Sequence, residues 1–185
     1  MFSEISLNIL DIVQNSISAR ASVIDITVNI NTYSDTLTIV ITDNGCGMSK
    51  EKLLKVVDPF YTTRKTRKNG FGIPFFKAAA EITGGSFKIN SEKEKGTTVK
   101  AVFVLSSIDR MPLGDMTSTL ISLINANCRI DFIYNYSVDE KSFTLDTRQL
   151  KATLGDIPIN LPEITQYITD YLSENIREVN GGVKY

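Results

Sequence analysis

The chain has 185 residues, 42% of them hydrophobic, which is enough for one domain with a core of its own or one domain with a sizeable appendage. A formal net charge of -1 gives no global basic field for nucleic acid, and no apolar run is long enough to span a bilayer. With 2 cysteines and no histidine, a disulfide framework, a Cys/His zinc site and any Ser-His or Cys-His nucleophile pair are all excluded.

Residues 4 to 19 carry a helical stripe, with Ile5, Ile9, Ile12, Val13 and Ile17 in one sector and Glu4, Asn8, Asp11, Asn15 and Ser18 in the other. Two alternating runs follow, Ile24 to Ile30 and Leu37 to Ile41, which read as strands joined by the hairpin segment TYSD. The second ends in DNGCGM, residues 43 to 48, where a carboxylate is followed by two closely spaced glycines. Alone this is a turn; it is also how a backbone leaves room for a ligand that an acid recognises. Residues 50 to 57 suit a short helix that ends at Asp58-Pro59. FYTTRKTRKNG reads as a long basic loop, mobile until a polyanion neutralises it. A helix from about Ile73 to Ile82, closed by TGG, precedes strands around Phe87 and Ile89 and from Val99 to Leu105.

After DRMP at 109 to 112 the pattern restarts. Met116, Leu120, Leu123 and Ile124 form a helical stripe, Ile130 to Tyr136 alternate as a strand, and a second strand surrounds Phe143 and Leu145. Pro162 opens a last helix. The expected division is residues 1–108 as one domain and 109–185 as a small α/β extension packed on it or on a partner. MFSEISLNIL lacks the layout of a signal peptide, so a cytoplasmic protein is expected.

No GxxxxGK[ST] phosphate loop occurs, and neither glycine pair extends to GxGxxG. The candidate chemistry lies instead in an ordered series: Asp11 with Asn15 one helical turn on, DNGCG, DPFYTT, GFGI at 70 to 73, and GTT at 96 to 98. Each piece has a bland alternative. Asp11 and Asn15 also suit a solvated helix face, RKTRK a solvated loop, GFG a plain helix start, and Cys46 a small filler.

In this order the pieces resemble the GHKL ATPases, the family of gyrase, ninety-kilodalton heat-shock chaperones, sensor histidine kinases and MutL, over about residues 4 to 105. DPFYTTR and GFGIP are similar to the kinase branch, LDIVQNSISA to the MutL and gyrase branch. The resemblance implies an α+β fold, a two-layer α/β sandwich of Bergerat type with a mixed, mainly antiparallel sheet under helices. It implies ATP and Mg2+ as cofactors. Asp43 would accept from the adenine amino group, with Gly45 and Gly47 letting the base approach the backbone. Asn15 would give its side-chain oxygen to magnesium, and Asp11 would orient or deprotonate a water as the catalytic base. Gly70 and Gly72 would present helix-start N–H groups to phosphate. Thr63, Arg64 and Lys65 would supply contacts from the basic loop, and Thr97 would touch the adenine side.

Two departures bear on the reaction. The hydrolases of this family carry Glu where this chain has Asp11, and Ser18 stands where MutL-like chains have an acid and many kinases a Lys. Slow ATP hydrolysis or a nucleotide switch is the first reading. A protein kinase acting in trans, similar to anti-sigma-factor or histidine kinases, and a non-catalytic nucleotide-gated module are the alternatives. The resembling region begins almost at Met1, so a kinase would take its substrate from another protein. ATP and a protein partner of unknown identity are expected, without nucleic acid or membrane, and self-association is left open.

Overall fold

The computed structural model describes residues 3–56 and 72–185. Its elements in chain order are α1 (Ile5–Ser18), β1 (Val23–Asn31), β2 (Thr36–Asp43), α2 (Lys50–Val56), α3 (Gly72–Glu81), β3 (Ser86–Glu92), β4 (Gly96–Val104), α4 (Met116–Ala126), β5 (Asp131–Val138), β6 (Lys141–Asp146), α5 (Thr147–Leu154) and α6 (Pro162–Asn180).

The strands form one six-stranded sheet in the order β3-β4-β2-β1-β5-β6, antiparallel throughout except where β5 runs parallel to β1. Alternation dictates which face is covered. Ile24, Ile26, Val28 and Ile30 of β1 are fully buried, as are Leu37 and Ile39 of β2 and Phe103 of β4. They meet Ile5, Ile9, Ile12 and Val13 of α1, Phe76 and Ala80 of α3, and Ile168 and Leu172 of α6 in one core cluster. The opposite face carries the intervening polar set, including Asp25, Thr27, Asn29 and Thr38. The result is an α+β fold of two layers, a mixed sheet with helices on one side.

Residues beyond 108 contribute two strands to this same sheet. The β5 register runs from Val23 opposite Asp131 to Ile30 opposite Val138. Tyr134 and Tyr136 of β5 lie with Phe143 of β6 and Tyr171 of α6 in a chain of aromatic contacts, ring centroids 5.9 to 6.2 Å apart. Three details depart from the sequence expectation. Helix α5 has no counterpart there: its Asp146 N-cap, accepting from Arg148 N at 2.9 Å, sits directly at the end of a strand, and the segment has little apolar content to mark it. Leu105 falls past the end of β4. Asn8, expected on the solvent side of α1, is 1% exposed, because α1 is flanked by both α3 and α4.

The start of α1 has no side-chain cap at Glu4. Its first N–H groups are met by the connector instead: Ile5 N donates to Pro112 O at 3.0 Å and Ser6 N to Leu113 O at 2.8 Å. Leu113 N in turn donates to the carbonyl of Tyr185, the last residue, at 2.7 Å. Gly114, at φ +84°, makes this approach feasible, since a Cβ there would strike Glu4 Oε2 and Ser6 Oγ.

Candidate functional site

The sheet's covered face ends in a polar row. Cross-strand partners point to the same side of a sheet, and the register places Ile24, Asp43, Thr97 and Ser91 side by side across β1, β2, β4 and β3. Where the rows below are hydrophobic, this one holds a carboxylate and two hydroxyls. A third hydroxyl comes from α1, whose buried stripe Ile9, Ile12, Val13 continues one turn on into Ser16.

Asp43 is 7% exposed, and both of its oxygens have donors. Ser16 Oγ donates to Oδ2 at 2.6 Å and Gly45 N to Oδ1 at 2.9 Å. A carboxylate held by two donors in a largely buried position is fixed in direction and keeps lone pairs for one further donor. Asn44 fastens the strand end behind it: its Oδ1 accepts from Ser22 N at 2.9 Å and Val23 N at 3.0 Å, and its Nδ2 donates to Ser22 Oγ at 2.9 Å.

The loop after Asp43 is stitched on both sides. Cys46 N donates to Ala19 O at 2.9 Å, at the end of α1, and Glu94 N donates to Cys46 O at 2.8 Å, from the β3–β4 turn. The glycines serve this packing. A Cβ at Gly45 would come within 3.0 Å of Ala19 O, Ala19 Cβ and Asp43 Oδ1, and one at Gly47, which sits at φ +59°, would run into Glu92 O. The protein's own atoms, backbone and side chain at 45 and backbone at 47, therefore occupy the space that side chains there would need.

Asp11 and Asn15 lie one turn apart on α1, both half-buried. The Asp11 carboxylate rests against Gly72, the first residue of α3, so closely that a Cβ at Gly72 would collide with Oδ2. The fold thus brings Asp11 to the start of α3, and Asp43 with Thr97 to the end of the sheet, with Asn15 directly before Ser16 on the helix between them. Thr63, Arg64, Lys65 and Gly70, also expected at the site, lie outside the described residues.

Two contributors escaped the sequence reading. Ser16 was legible as a hydroxyl on an otherwise apolar stripe, a group that must find a partner when buried. Ser91 was legible as the polar continuation of the inward Phe87, Ile89 alternation on β3. Its Oγ accepts from Met48 N at 2.9 Å, donates to Gly96 O at 3.0 Å and lies 2.9 Å from Thr97 Oγ1.

A mixed sheet with helices over one face carries an acid at a strand end and, on the helix beside it, a second acid and an Asn. The chain belongs to the histidine kinase-, DNA gyrase B-, and HSP90-like ATPases, whose family model matches residues 2–107. Among similar proteins, the heme sensor protein HssS of Staphylococcus saprophyticus is 34% identical over 87 residues, 46% of this chain and 18% of that protein. The signal transduction histidine-protein kinase ArlS of Staphylococcus aureus is 40% identical over 70 residues, 35% of this chain and 16% of that protein. This chain therefore matches less than a fifth of the length of either relative. A crystal structure of the N-terminal domain of a DNA repair protein shares the fold at a TM-score of 0.54 and 16% identity, covering 78% of this chain and 53% of that one. Among the described residues, no helix is long and apolar enough to cross a membrane.

Proposed function

We propose that this chain binds Mg-ATP at the polar row that ends the sheet and uses it for slow hydrolysis or as a conformational switch. The observation that carries the reading is Asp43, a nearly buried carboxylate oriented by Ser16 and Gly45 N with acceptor capacity to spare, in a chain of this ATPase family. An adenine amino group is a donor of the complementary kind, and Thr97 stands beside the acid to meet the same edge.

The donor set also suits the metal. Magnesium bound with a triphosphate takes most of its ligands from phosphate and water and needs only one or two protein oxygens. The Asn15 side-chain oxygen supplies one without requiring an acidic cluster, and among the described residues there is none. When bound, the ion would neutralise phosphate charge. Asp11, a turn from Asn15 and pressed against the start of α3, would hold or deprotonate a water near the terminal phosphate. Gly72 with Gly70, and Thr63, Arg64 and Lys65, complete the phosphate side of the proposal. Phosphotransfer to another protein is the second reading, favoured by the kinase relatives. With no histidine among these 185 residues, a phosphohistidine would have to form outside them.

Calorimetric titration of the protein and of Asp43→Asn with a non-hydrolysable ATP analogue tests the binding. The amide turns an acceptor into a donor against the adenine amino group, and an unmet polar pair of this kind costs ~1–3 kcal/mol, roughly tenfold to a hundredfold in affinity. Equal affinities would overturn the adenine assignment. Labelled γ-ATP then separates hydrolysis from phosphotransfer, as free phosphate or as a labelled acceptor.

A further inference from the structure

Ser91 sits on the edge strand β3, outside every motif that marks the family, yet its hydroxyl makes three polar contacts inside the site. A serine hydroxyl has one proton to give and two lone pairs to receive with. Met48 N, a backbone donor, takes one lone pair at 2.9 Å. Gly96 O, 3.0 Å away, can only accept, so it takes the proton. The remaining contact, Thr97 Oγ1 at 2.9 Å, is then a hydrogen bond only if Thr97 is the donor. One proton arrangement satisfies all three contacts, and in it the Thr97 proton points away from Asp43 towards Ser91.

We propose that Ser91 is a positioning residue that sets the polarity of the site: by claiming the Thr97 proton, it leaves Thr97 an acceptor on the side it shares with Asp43, and so selects adenine over guanine. This rests on the reading of the row as a purine pocket. Position 6 of adenine carries an amino donor, which meets two acceptors, Asp43 and Thr97. Guanine carries a carbonyl oxygen there, which would face the same two acceptors with no proton between them. A Thr97 hydroxyl free to rotate could turn its proton to that oxygen and soften the penalty. Selectivity of this kind comes from leaving the wrong ligand's polar group unmet.

The edge location gives the arrangement a second property. Met48 belongs to the loop after Asp43 and Gly96 to the start of β4, and the two segments meet at Gly47, against which Glu92 O and Gly96 O lie. Ser91 therefore joins both walls and the threonine through a single oxygen.

The test is calorimetry on the full chain with non-hydrolysable analogues of ATP, GTP and ITP, comparing the protein with Ser91→Ala, Ser91→Thr and Asp43→Asn. Ser91→Ala should lower the preference for ATP over ITP and GTP by about three- to tenfold, the range of one net hydrogen bond. Ser91→Thr, which keeps the hydroxyl, should restore the preference. Weaker binding of all three nucleotides by the same factor in Ser91→Ala would mean that Ser91 only supports the fold, and the proposal would fail. An unchanged preference would also overturn it, while the adenine assignment would still stand if Asp43→Asn loses ATP. If the unaltered protein binds none of the three, the purine reading itself falls. Thermal melts of each variant confirm that differences in binding belong to folded protein.

Discussion

Removing the Ser16 hydroxyl should cost stability through Asp43. In Ser16→Ala the helix loses nothing by propensity, since alanine is the better helix former. The whole penalty is the bond of 2.6 Å to Oδ2, made between two side chains that are 3% and 7% exposed. A hydrogen bond to a charged acceptor is worth ~1.5–3 kcal/mol. Gly45 N still holds Oδ1, so the carboxylate stays in position and the lower half of the range applies, about 2 kcal/mol. With a urea slope of ~2 kcal/mol per molar for a chain of this size, the unfolding midpoint should fall by about 1 M with the slope unchanged. Ser173→Ala, on the exposed side of α6, serves as the control and should stay within ~0.5 kcal/mol. Combining Ser16→Ala with Asp43→Asn should cost less than the sum of the two, because both alter the same contact. A Ser16→Ala midpoint equal to that of the parent, or strictly additive losses, would refute the view that Asp43 is held by this hydroxyl.

Three further outcomes follow from the packing. Gly72→Ala should destabilise by ~1–3 kcal/mol through the clash with Asp11, yet become neutral or stabilising in an Asp11→Ala background, where the nearest remaining atom among the described residues, Cβ, lies 3.5 Å away; urea denaturation of the four proteins reads this reversal of sign. Tyr134→Phe should stabilise by about 1 kcal/mol in thermal melts, because the buried hydroxyl of Tyr134 has no hydrogen-bond partner among the described residues and its removal leaves none unmet. At high pH, burial pushes the Tyr136 hydroxyl up to about 12 and Tyr134 well above the ordinary range, while an unfolded tyrosine ionises near 10. The neutral forms are favoured by folding, so their contribution is complete below about pH 10 and is lost as pH rises through 10 to 12; urea midpoints across that interval should fall less steeply in Tyr136→Phe.

Much of the fold was legible because it follows periodicity. The stripe of α1, the alternation in β1, β2 and β5, and Pro162 at the head of α6 are local signals, and the elements begin and end within a residue or two of where those signals do. The parallel pairing of β5 with β1 was not legible, since a strand's alternation names its buried face but not its neighbour. Helix α5 was hidden for a different reason: Thr147 is its one fully buried residue, with its Oγ1 accepting from Phe132 N at 2.8 Å, and the two leucines that pack it on the core, Leu150 and Leu154, make too short a stripe to stand out in the sequence. In the site, Asp43 and Thr97 stood out by motif, and the register makes them neighbours. Ser16 and Ser91 belong to no motif: the pattern shows only that each hydroxyl faces inward, and its partners emerge with the distances.

The connector that caps α1 has a consequence for synthesis. As the chain leaves the ribosome, Asp11 and Asn15 emerge early, on a helix whose first N–H groups wait for the carbonyls of Pro112 and Leu113. Leu113 waits longer still, for Tyr185. Strand β1 meanwhile shows an open edge from Val23 to Ile30 until β5 arrives more than a hundred residues later. An unpaired edge of that length is a template for pairing with another chain. A nascent chain stalled near residue 108 would therefore carry every family motif and still be prone to aggregate, and α1 would fray from the end that the carbonyls of Pro112 and Leu113 normally cap.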